Sequence, residues 1–194
     1  MRGVHRYALP LSIGLAVVLP LAATTIAPLN LADLVDRAQN IAHVTILGAE
    51  PGTVSVGGTD LPTITYEARV EQGFKGEFIT KDGMQILEFT MIGDLKGDAS
   101  TGGTVEKLTS IPDLPEFQIG EQYVLFTTPP SAIGLSTTVG LGTGSFLISG
   151  DGDKAVVVNE FDNAGVFAGM PGMPASGPVS YSALVGQLQT LLGQ

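Results

Sequence analysis

Cysteine and tryptophan are absent from this 194-residue chain, and charged residues make up only 14% of it. Without cysteine there is no disulfide framework and no thiolate site for zinc, so the fold rests on its apolar core. Basic residues are fewer than half the acids, 9 against 19, for a formal charge of −10. Such a field repels phosphate backbones and anionic lipid, which argues against nucleic acid as a partner. Histidine is nearly missing too: His5 and His43 are the only two. His43 sits in "IAHVTIL", where a strand histidine satisfied by its neighbours is the plainer reading than a ligand or a base. It precedes every plausible serine, and no G-x-S-x-G occurs, so the chain order of the α/β-hydrolases is excluded.

What is abundant is glycine, 26 residues, and uncharged apolar sequence at the start. Arg2, His5 and Arg6 precede an uncharged run from Ala8 to Ala23, and small residues follow in "AATTIA". This is the pattern of an export signal over residues 1–27, which places the chain in the periplasm or outside the cell. Pro28 directly after Ala27 is unfavourable for cleavage, so an uncleaved membrane anchor is the alternative, and the only route to a membrane partner. Cleavage would remove two basic residues and no acid, leaving a mature charge of about −12.

After residue 27 the pattern is mainly β. Asn30 caps a short helix with Asp33 three residues on, and Leu31, Leu34, Val35 and Ala38 form its apolar stripe. Strands are expected at Ile41–Leu47, at "TITYEARVEQGFKGE", where Ile64, Tyr66, Ala68 and Val70 alternate with polar residues, and at Met84–Gly93. "GAEPGTVSVGGTDLP" reads as a loop or irregular hairpin, and residues 94–114 as a long polar loop. Pro115 and Gly120 frame a turn into a strand, Glu121–Thr128, buried on both faces. Short strands follow, with Gly140, Gly142 and Gly144 expected where the sheet curls. "GDGDK" is a tight turn before "AVVVNEF".

Residues 163–179 are a Pro/Gly linker containing "GMPGM". Residues 180–194 are an amphipathic helix capped by Ser180 or Ser182, with Leu184, Val185, Leu188 and Leu191 on one face. Consecutive strands without intervening helices exclude a parallel α/β sheet. The expectation is a small antiparallel Greek-key or OB-like barrel, closed or partly open, over residues 28–162, with a short helix before it and the amphipathic helix after it.

Placed on these elements, the chain resembles a group of exported bacterial proteins. The shared pattern is a "LADLV"-type helix, Val70-x-x-x-x-Lys75-Gly76, Pro115-x-Phe117-x-x-Gly120-Glu121-x-Tyr123-x-x-Phe126, and Gly144-x-Phe146. More distantly it resembles the OB-fold domain of the tissue inhibitors of metalloproteinases and netrin modules, over residues 31–161. That resemblance implies a barrel fold. The zinc-chelating N-terminal cysteine of those inhibitors has no counterpart here, so their inhibitory residues do not carry across.

Few residues offer chemistry. Asp151, Asp153 and Asp162 could form an exposed calcium site, against the plainer reading as a hairpin turn; Ala155 and Val156 stand where an EF-hand needs a ligand and a glycine. "GLGTGSF" lacks the third glycine of a phosphate loop and precedes a strand. Met170 and Met173 offer two thioethers for copper without a third ligand. Glu67, Glu71, Asp94 and Asp98 are carboxylates that no pattern pairs for glycoside hydrolysis. No cofactor is indicated. The sequence supports an exported, non-enzymatic binding module for an envelope protein partner, with residues 48–62 and 94–114 as its recognition loops. The alternatives are a carboxylate-dependent envelope hydrolase and a structural envelope component.

Overall fold

The computed structural model describes residues 29–94 and 114–194. Residues 1–27, read above as an export signal, Asp98 and nearly all of the 94–114 loop lie outside them. No helix among the described residues is long and apolar enough to cross a membrane.

The fold is mainly β: one eight-stranded antiparallel sheet with a helix before it and another after it. Helix α1 (Leu31–Arg37) begins at Asn30, whose side chain accepts from the Asp33 amide at 2.9 Å, while the Asp33 carboxylate accepts from the Asn30 amide at 3.1 Å. This reciprocal cap satisfies two donors that a helix start leaves open. The strands are β1 (Asn40–Val56), β2 (Thr59–Lys75), β3 (Ile79–Lys81), β4 (Met84–Ile92), β5 (Gln122–Thr127), β6 (Ser145–Ser149), β7 (Val156–Asn159) and β8 (Val179–Ser180). Helix α2 (Tyr181–Leu192) ends the chain, capped by Ser180.

The sheet order is β3-β4-β2-β1-β5-β6-β7-β8. Leaving the three-residue β3 aside, β5 returns beside β1 after the β1-β2-β4 meander, which is Greek-key order. Strand pairing does not close the sheet. Its curl nevertheless brings the loop after β5 to the free edge of β4, where the Ser136 amide donates to the Thr90 carbonyl at 2.8 Å.

β5 is buried on both faces, as its apolar run requires. Strand closure is not the reason. Val124 and Phe126 face a core shared with Leu31, Leu34, Phe146, Leu184 and Leu188, covered by the two helices. Tyr123 and Leu125 face a second core with Val44, Ile46, Tyr66, Phe89 and Phe117, inside the curl of β1, β2 and β4. Here Tyr66, Phe89, Phe117 and Tyr123 pack ring against ring at 5.1–5.6 Å, mostly edge to face. The Gln118 amide donates to the Tyr123 hydroxyl at 3.3 Å, and Tyr66 bonds to the backbone of Phe117, so two tyrosines pin the 116–118 segment over this core. Burial raises the pKa of both phenols, partly offset by those backbone bonds.

Three expectations change. Residues 163–179 are not a free linker. Val166 and Phe167 are buried in the helix-side core, Met170 and Met173 pack against it, and β8 pairs with β7. Asn163, fully buried at a φ of +56°, donates to the Val157 and Gly177 carbonyls at 3.0 and 2.9 Å and accepts from the Asn159 amide. Gly142 and Gly144 lie in a 3-10 turn (Leu141–Gly144), not at bends within a strand; Gly144 abuts the Val139 carbonyl, where a Cβ has no room. Leu191 is exposed, and the buried stripe of α2 is Leu184 and Leu188 with Tyr181, Val185 and Leu192 partly buried.

Candidate functional site

The segment read as a loop or irregular hairpin is regular. β1 and β2 pair along their whole length out to Val56 and Thr59. The intervening Gly57 and Gly58 have φ of +59° and +84°, the left-handed pair that a two-residue turn of matching twist demands. Three register shifts bend the base of the hairpin. Beyond them its outer half leaves the body: Glu50 to Thr53 and Ser55 to Asp60 are exposed.

This outer half has an open edge. β5 pairs with β1 only from Asn40 to Thr45, and Ile46 then exchanges bonds with Gly120 and Glu121. From Gly48 to Val56 no described strand pairs with that side of β1. The direction of the free groups follows from one bond. The Pro62 carbonyl accepts from the Gly93 amide at 3.1 Å, on the side away from β1. Its cross-strand neighbour Thr53 therefore belongs to a non-hydrogen-bonded pair, and its own amide and carbonyl face outward. Ser55 and Pro51, two residues either way, face the same side. Pro51 removes one donor from the edge, a common guard against indiscriminate strand pairing, while Thr53 and Ser55 keep theirs. The same Gly93 bond sets exposed Asp94 beside the hairpin, so the 48–62 segment and the start of the 94–114 loop meet. Between Gly48 and Thr63 the hairpin carries Glu50 and Asp60 and no basic residue.

A polar cluster lies at the hairpin base. His43 Nδ1 is 3.0 Å from the Tyr181 hydroxyl, and Nε2 is 3.2 Å from the Gln122 side chain. The Tyr181 hydroxyl also donates to the Gln72 side chain at 3.1 Å. Burial raises the Tyr181 pKa. His43 is thus a satisfied strand histidine, and the cluster fastens the start of α2 to β1, β2 and β5. Alongside it, Glu71 accepts from Thr45 at 2.6 Å and from Arg69 Nε at 2.8 Å. Glu67 is paired with Lys81. Two of the carboxylates considered for hydrolysis are therefore engaged in ion pairs, while Asp94 stands at the hairpin.

Asp151 and Asp153 lie in the turn before β7, and Asp162 lies in the turn after it, so the strand separates the candidate calcium ligands. Among the described residues no group of three or more His, Cys, Asp or Glu is arranged to hold a metal ion. The open edge itself was missed in the sequence. Its signal is present in Val54-Ser55-Val56-Gly57-Gly58-Thr59, an alternating run into a two-glycine turn, but glycine and proline on either side suggested irregular structure. Comparison with known proteins finds no matching family model, no similar curated protein and no similar solved structure.

Proposed function

We propose that this protein is an exported binding module that recognises a protein partner by strand addition to the open edge of the β1–β2 hairpin. The observation that carries the reading is the outward-facing amides and carbonyls of Thr53 and Ser55 on a projecting, well-formed hairpin with no strand beside it among the described residues. An added strand would take main-chain hydrogen bonds from this edge, and neighbouring side chains would set preference. The partner segment is extended and basic. Glu50 lies on the edge strand and Asp60 on its partner opposite Ser55, no basic residue lies between Gly48 and Thr63, and the chain as a whole carries −10. The same charge disfavours a second copy of this chain as the occupant. The export pattern at residues 1–27 supports an envelope setting.

Thr53→Pro removes one outward donor while leaving the β1–β2 ladder intact, since that amide points away from β2. Retention of an envelope partner should fall at least tenfold in the variant, with an unchanged melting temperature. In the recovered wild-type complex the Thr53 and Ser55 amides should exchange more slowly than in the free protein. A partner held equally by both proteins, or one that leaves these two amides unprotected, overturns strand addition.

A further inference from the structure

The two faces of the hairpin differ in chemistry, and on the strand-addition reading above this difference fixes the side chains a partner must present. Successive side chains of a strand point to opposite faces, and directly paired residues share one. From Gly48 to Val56 the β1–β2 pairing runs without a register shift, so the register assigns every residue to a face. Thr53 and Ser55 share one face with Pro62 and Asp60, and there the Ser55 hydroxyl donates to the Asp60 carboxylate at 2.7 Å. Gly52, Val54 and Val56 share the other with Thr63, Leu61 and Thr59. A Cβ on Gly52 would lie 2.9 Å from Thr63 Oγ1, which agrees with that placement. β4 adds Ile92 to the same face, paired with Thr63.

Val54, Val56, Leu61 and Ile92 make this second face apolar, and none of them belongs to either core. Val56 is 41% exposed and the other three are half-buried. A single exposed valine is ordinary, but four apolar side chains gathered beside an unpaired edge give an added strand apolar surface to cover. Gly52 leaves the same face without a side chain at the edge between Glu50 and Val54, a gap that a large residue on a neighbouring strand can fill. The Thr53 face offers two hydroxyls and the Asp60 carboxylate instead. At the base of the hairpin the Gly120 amide donates to the Ile46 carbonyl at 2.8 Å, so the 118–121 turn closes the edge there. The free length from Gly48 to Val56 accommodates an extended segment of about six to eight residues.

We infer that the partner segment alternates, with β-branched or aromatic residues on the Val54–Val56 face and hydroxyl-bearing or basic residues on the Thr53–Ser55–Asp60 face. The test uses the full chain and three blocked peptides of about eight residues. The first alternates lysine and threonine with valine and one phenylalanine. The second has the same composition with its apolar residues contiguous, and the third keeps the alternation with glutamate in place of lysine. The first should bind roughly fivefold or more tightly than either of the others, as two matched cross-strand pairs predict, and should shift the Thr53 and Ser55 amide resonances. The double variant Val54→Thr, Val56→Thr keeps β-branching and lies outside both cores. It should melt as wild type does and lose the preference for the first peptide over the second. Asp60→Asn should narrow the preference over the third. Equal binding of the first two peptides, both weakened by Thr53→Pro, overturns the alternation and leaves strand addition standing. A first peptide held undiminished by Thr53→Pro overturns strand addition itself. No binding of the first peptide at about millimolar concentration overturns the alternation. A concentration-dependent dimer that Thr53→Pro dissociates would seat a second copy on the edge, and overturns the basic partner.

Discussion

On one side of β5, Val124 and Phe126 lie beneath two capped helices. On the other, Tyr123 and Leu125 enter an aromatic cluster closed by Phe117 and by a loop that meets β4 through one backbone bond. The helix-side core is sealed by elements whose ends are satisfied: the Asn30–Asp33 box, the Ser180 cap, and the bonds of Asn163 into two neighbouring segments. The other core has its rings packed 5.1–5.6 Å apart, but beside it lie a polar cleft and a Thr127 hydroxyl with no partner among the described residues, and the hairpin that projects from it has an open edge. The edge proposed for recognition therefore lies where strand pairing is incomplete, and the satisfied caps lie where the helices dock. That is the division expected when a rigid scaffold carries less regular binding elements.

The hardest break falls on the helix side. Phe126 has no exposed surface and packs on Phe146 with ring centres 5.7 Å apart. Phe126→Ala should destabilise by about 3–5 kcal/mol, read as a shift of the urea midpoint at constant m-value. A loss below about 1 kcal/mol would mean that the helix-side core does not hold the fold. Somewhat smaller is Asn163→Ala, at about 2–4 kcal/mol, because it strands several backbone groups and leaves a non-glycine residue at positive φ. Asn163→Gly would restore the backbone freedom but not the bonds. Its recovery, relative to alanine, measures how much of the penalty is strain.

These two residues also mark how far the sequence could be read. Phe126 was legible because a strand with no polar alternation must be covered on both faces, although the cover proved to be helices on one side and not barrel closure. The α1 cap, the wet face of β2 and the docking of α2 were legible for the same reason: each is set by spacing within about ten residues. Asn163 was not. Its partners Val157 and Gly177 lie on either side of it in a stretch whose prolines and glycines resemble a tether, and nothing local announces that an asparagine there is fully buried. The cleft beside β5 was equally hidden, since Asn40, Glu88 and Thr127 belong to three separate strands and meet only through the curl of the sheet.

The smallest expected effect concerns Glu71, at the hairpin base between the two regions. It is the extra residue of a bulge, since β1 pairs with Val70 and Gln72 on either side of it. Burial by itself raises its pKa. The hydrogen bonds from Thr45 and Arg69, and the charges of Arg69 and His43, outweigh that and hold the carboxyl below its ordinary range. A carboxyl depressed in the folded state contributes stability that is present above its unfolded pKa and is lost as pH falls through the folded one. The Glu71 side chain retains 30% of its exposure and Arg69 42%, so solvent screens the pair and the contribution stays under about 1 kcal/mol. Glu71→Gln should therefore cost a few tenths of a kcal/mol to about 1 kcal/mol at neutral pH. That cost should shrink toward zero in acid, as the wild-type carboxyl becomes protonated. A penalty that does not change with pH would assign Glu71 to the shape of the bulge and not to its charge. The base of the hairpin would then be held by its backbone geometry, whereas its outer half keeps a side-chain bond from Ser55 to the Asp60 carboxylate at 2.7 Å.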